Sequence, residues 1–210
     1  MPERRTIALL LLVTGLAACR TPAPPGTAGA TVTVEDQDEW RGVALSNHAG
    51  VAEETPPLFR RLVVGSGARS RRRGGGDRDL LDPDLVLPRA TPAPGGYRCR
   101  LVRLGATPAR ERARAREAFC FVGVEGNRLS LTVETPARRL GGFLWETRGG
   151  QRLVFLGAEF APRERTAPAY GDPSSTAGIF ERIGDFRYRL IVRGAVPETL
   201  DIWELVAAPG

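Results

Sequence analysis

The sequence predicts a mainly β protein, an antiparallel meander of about eight strands closing into a small lipocalin-like barrel behind a short N-terminal helical segment. Three observations predict it. After Gly95 the apolar residues recur with a period of two, the pattern of strands with one buried and one wet face. Two-residue glycine turns separate several of these runs. The runs are also short and closely spaced, and a meander of that length removes its exposed edges by closing on itself.

Taken in order, residues 1–18 read as an export signal. Arg4 and Arg5 precede an apolar run from Ile7 to Leu16, followed by Ala17-Ala18-Cys19. That is the charged, apolar and small-residue succession of a secretory leader. A cysteine directly after two alanines adds a lipoprotein box, with Cys19 as the acylated residue. The apolar run falls short of the roughly 20 residues a spanning helix needs. Two or three acyl chains, palmitate among them, would anchor the chain durably where one would not. Arg20, standing where aspartate marks inner-membrane retention, points to the outer membrane. The expected location is therefore the cell envelope, lipid-anchored and facing the periplasm.

Residues 19–36, rich in Pro, Gly, Ala and Thr, form the expected tether. Residues 37–94 form a helical and loop segment. Trp40, Val51, Leu58, Phe59, Leu62 and Val63 supply its apolar contacts, and Pro56-Pro57 suggests two short helices, the second starting near Pro57. Residues 65–79 (GSGARSRRRGGGDRD) are an Arg/Gly-rich loop. Residues 95–208 carry the barrel, with strands expected at 97–101, 119–124, 129–133, 142–146, 152–160, 178–183, 186–192 and 200–206. Gly126-Asn127, Gly149-Gly150 and Gly184-Asp185 are hairpin signals. Thr107 and Pro108 suit the start of a short exposed helix or loop between the first two strands.

Cys99 and Cys120 remain after lipidation of Cys19. An even pair in an exported domain reads as a disulfide, which would stabilise by about 3 kcal/mol through closure of its loop. Two free thiols or a metal pair are the alternatives. A metal finds few partners, because His48 is the sole histidine and no CxxC or HExxH spacing occurs. No metal and no other cofactor is expected.

The net charge is +6, and removal of residues 1–18 with Glu3, Arg4 and Arg5 lowers it to +5. All 30 basic residues are arginine. Phosphate binding draws on lysine as well as arginine, so the bias reflects a GC-rich genome, and nucleic acid is not an expected partner.

The chain resembles a bacterial family known as domain of unknown function 4893, small exported proteins and lipoproteins of the envelope. The residues that carry the likeness are Leu81-Asp82-Pro83, Gly96-Tyr97-Arg98-Cys99-Arg100-Leu101, Phe119-Cys120, Phe155-Leu156-Gly157, Tyr170-Gly171, Ala177-Gly178, Glu181-Arg182-Ile183-Gly184 and Glu204-Leu205-Val206. The likeness spans roughly residues 80–206, with the helical segment before Gly65 standing outside it. It implies a fold and an envelope location and brings no activity.

The function expected is non-catalytic: a binding or protein-interaction module whose partner is an envelope protein or a small apolar ligand. Phe143, Trp145, Phe155 and Tyr188 are the candidate ligand-lining residues; an eight-stranded barrel holds one small ligand or is filled by side chains. One alternative is a hydrolase, for example a cell-wall glycosidase, using paired carboxylates such as Glu159 with Glu164 or Asp172 with Glu181. Another is a structural lipoprotein whose arginine loops contact anionic envelope polymers. No catalytic residue is assigned, since nucleophilic catalysis needs a base and His48, the sole imidazole, reads as a surface or capping histidine.

Overall fold

The computed structural model describes residues 38–66, 77–105, 117–164, 167–171, 173–194 and 196–208. The leader 1–18, Cys19, the tether 19–36, the arginine run at 69–73 and the 107–116 stretch lie outside the described residues.

Two helices precede eight strands: α1 (Trp40–Val43), α2 (Val51–Gly65), β1 (Gly95–Leu104), β2 (Glu117–Glu125), β3 (Arg128–Glu134), β4 (Arg139–Glu146), β5 (Arg152–Phe160), β6 (Ser175–Gly184), β7 (Arg187–Arg193) and β8 (Leu200–Ala207). Each strand pairs antiparallel with the next, and β8 returns to β1, with Leu101 opposite Trp203, so the sheet is a closed barrel. One contiguous buried cluster occupies its interior, with side chains from every strand, among them Tyr97, Leu131, Phe155, Phe180, Leu190 and Trp203. Cys99 and Cys120 are disulfide-bonded within that cluster, joining β1 to β2.

The helical segment begins its second helix earlier than the prolines suggest. α2 starts at Val51 and runs through Pro56 and Pro57. Proline removes an N–H and crowds the carbonyl four residues back. Here burial overrides that cost, because Val51, Thr55, Leu58, Phe59 and Val63 form one buried stripe on both sides of the prolines. Residue 53, whose carbonyl loses the donor of Pro57, is exposed, so water can satisfy it.

That stripe covers the barrel from outside. Leu58, Phe59, Val63, Leu80 and Leu81 pack on Ile179, Ile183, Ile191 and Ile202, while Trp40 and Val51 pack on Trp145, Val154, Leu156 and Ala177. Strands β5 to β8 are thus buried on both faces along much of their length, which explains continuous apolar runs such as Leu153-Val154-Phe155-Leu156. The wet face expected for β7 is therefore largely dry: Arg189 is 1% exposed.

The turn at Gly126-Asn127 stands as expected, with Gly126 at φ 63°. The β6–β7 turn falls one residue later than expected, on Asp185-Phe186. An irregularity in pairing between Arg182 and Gly184 absorbs one residue and leaves Phe186 in the left-handed region at φ 51°. The described chain enters and leaves the barrel at one rim. There Asp38 N–H donates to the Glu146 carbonyl (3.3 Å) and Ala208 N–H to the Gly96 carbonyl (3.1 Å).

Candidate functional site

The four candidate lining residues do not share a cavity. Phe155 and Tyr188 point into the interior cluster, where Tyr188 stacks on Phe180 (ring centroids 5.3 Å) and meets Tyr97 edge-on (6.0 Å). Phe143 and Trp145 lie on the outer face of β4. Trp145 packs beside Trp40 under the Arg128 guanidinium (3.8 Å), and Phe143 leans on the same cluster. Leu140 and Leu144 take the inward positions. The run Leu140-Gly141-Gly142-Phe143-Leu144-Trp145 carries apolar residues at both parities, so alternation alone does not say which set faces in.

The carboxylates proposed for hydrolysis are separately engaged. Glu181 is 1% exposed and held by Arg189 (2.6 Å) and Arg152. Arg189 also donates to the carbonyls of Leu80 (3.1 Å), Asp82 (2.7 Å) and Leu85 (3.2 Å), fastening that segment to the barrel. Burial pushes the Arg189 guanidinium below its ordinary value against the pull of Glu181. Glu164 accepts from the Ala161 N–H (3.3 Å) in the turn after β5. Asp172 lies outside the described residues.

Glu159 belongs to a charged cluster at the rim opposite Asp38. Arg138 bridges Glu159 (2.6 Å) and Asp201, Arg103 holds the other oxygen of Asp201 (2.8 Å), and Arg138 lies 5.9 Å above the Trp203 ring. A cavity of about 160 Å³ opens beside them, bounded also by Gly194 and Thr199. With each carboxylate paired to arginine, this cluster is suited to capping the packed interior. Sequence reasoning missed it, because its members come from four distant places in the chain.

A larger depression, about 380 Å³, lies on the outer face of β3, β4 and β5, beside the surface that the helices cover. Gly141 leaves its floor bare, since a Cβ there would lie 3.1 Å from both the Ala167 Cβ and the Phe160 ring. Gly142 and Gly157, opposite one another, belong to the inward parity of Leu140, Leu144 and Phe155. Phe143, Phe160 and Tyr170 form apolar walls, and Ser130, Thr132 and Glu125 bring polar groups. Cross-strand register places Phe121, half exposed, opposite Thr132, and Thr132 opposite Gly141.

The walls are held in place. The Tyr170 hydroxyl accepts from the Leu45 N–H (3.2 Å) and shares a hydrogen bond with His48 Nδ1 (2.8 Å), and burial raises its pKa. His48 is thus a half-buried clasp between the helical segment and the groove. Burial, then the charge of Arg193, holds its imidazole below the ordinary value. Arg139 crosses Phe160 at 5.1 Å, pairs with Glu134, and donates to the Glu164 carbonyl (2.8 Å). Its Nε is buried without a partner among the described residues.

The fold is a closed, eight-stranded antiparallel barrel with a filled interior and a depression on its outer face. The profile of a domain of unknown function, DUF4893, matches residues 40–205, and the chain belongs to that family. The match begins at Trp40, so α1 and α2, which had stood outside the likeness, are part of the family unit. No curated protein and no solved structure matches the chain.

Proposed function

We propose that this DUF4893 protein is a lipid-anchored, non-catalytic binding module of the cell envelope that faces the periplasm and meets its ligand on the outside of the barrel. The observation that carries the reading is the contrast between the two faces of one sheet. Inside, side chains from all eight strands occupy the lumen; outside, a glycine-floored groove with aromatic walls stays open. Concave, mostly apolar sites with a few convergent polar groups are the usual form of a ligand site. The Cys19 box supports anchoring, and the Cys99–Cys120 bond suits an oxidising compartment.

Two measurements on the full chain in its own envelope test this. A photocross-linking residue at position 132 is expected to give a discrete adduct, whereas the same residue at Val64, exposed on α2, gives none. An unmodified chain at position 132 overturns exterior binding. Cys19→Ala is expected to move the protein from the membrane fraction to the soluble periplasm, and retention in the membrane overturns the anchor.

A further inference from the structure

We infer that the groove over β3–β5 is a saccharide site, taking a neutral sugar ring or a short run of them; this rests on the exterior-binding reading above. The chemistry of the lining selects the class. An extended peptide docks on a sheet by adding a strand to a free edge. This barrel is closed, with every strand paired on both sides, so that mode has no edge to use. Recognition must come from side chains facing away from the sheet, together with the glycine backbone at its floor.

Those side chains are of two kinds at once. Phe143, Phe160 and Tyr170 offer apolar contact, and Ser130, Thr132 and Glu125 offer hydroxyl and carboxylate groups. A fatty chain in the groove would bury these polar groups without partners, at a cost for each. An anion finds no free cation among the lining residues, since Arg139 is already paired with Glu134. A pyranose meets both demands, with apolar C–H faces for the rings and hydroxyls at its edge for the polar groups. Gly141, bare on the outward face, lets a flat ring approach the backbone, and about 380 Å³ falls in the range of small-ligand sites. Tyr170, fixed by Leu45 and His48, needs no ordering on binding, which favours affinity.

The test uses the full chain carrying Cys19→Ser, exported with its disulfide closed, and titrates it with N-acetylglucosamine oligomers under amide NMR detection. The amides of Ser130, Thr132, Gly141, Phe143 and Tyr170 are expected to shift together and saturably. Thr132→Val and Phe143→Ala are each expected to weaken binding about tenfold, with the melting temperature of Thr132→Val unchanged. Parallel titrations with cell-wall glycan fragments and with the core oligosaccharide of lipopolysaccharide show which source the site prefers. Saturable shifts with palmitate instead of any sugar overturn the saccharide assignment. So does silence to all three sugar probes. If that silence accompanies a cross-linked protein adduct at position 132, exterior binding stands and only the ligand class falls; silence without any adduct sinks both.

Discussion

Arg189 illustrates how far a residue's neighbours decide its role. In the sequence it alternates with Tyr188 and Leu190 and reads as part of a solvated strand face. In the fold it lies under Phe59, with its guanidinium 4.8 Å from that ring, and pairs with Glu181. Alternation reports parity; it carries no word of what another segment lays on top. Arg189→Ala leaves the buried Glu181 with Arg152 alone and takes the donor from the Leu80, Asp82 and Leu85 carbonyls, so it is expected to cost about 3–5 kcal/mol in urea unfolding. Replacing both, with Arg189→Met and Glu181→Leu, is expected to recover most of that loss, and a double variant no better than the single contradicts it. His48 makes a second prediction at this scale. Its folded pKa lies below the unfolded one, so the unfolded chain binds a proton that the folded chain resists. This contribution is complete above about pH 6.5 and is lost as pH falls from there through the folded value. Unfolding midpoints compared at about pH 7.5 and 5.5 are expected to drop at the lower pH, and His48→Gln to shrink the drop.

Among the elements, the strands were the most legible, since period-two alternation and glycine turns are local signals that the barrel respects. α2 was less so. Pro56 and Pro57 speak for a break, and only the stripe buried against Ile179, Ile191 and Ile202 explains the continuous helix. Phe59 is the largest side chain of that stripe and 2% exposed. Phe59→Ala is expected to destabilise by about 3–5 kcal/mol and to increase binding of an apolar dye as the outer barrel face opens. A cost below 1 kcal/mol would mean that α2 rides on the barrel without sealing it. β4 was misleading in another way. With apolar residues at both parities, Phe143 and Trp145 were grouped with Phe155 and Tyr188, and only the register with β3 and β5 separates outside from inside.

For the whole molecule, closure of the sheet was readable from strand number and turn spacing, whereas the groove was not. It requires the register of three strands and the return of residues 167–170 across them, none of which has a local signature. The Cys99–Cys120 pair was readable from the leader-like start of the sequence and the cysteine count. With a separation of 21 residues, the double variant Cys99→Ala with Cys120→Ala is expected to lose about 3 kcal/mol in chemical unfolding while keeping its β-type circular dichroism. Loss of that spectrum would mean that the bond is needed for the barrel to form.

Both ends of the described chain lie at one rim of the barrel. The described backbone comes in beside Glu146 and goes out beside Gly96. The cluster of Arg103, Arg138 and Asp201 stands at the opposite rim. A label placed at Ala208 therefore sits on the side of the barrel away from that cluster.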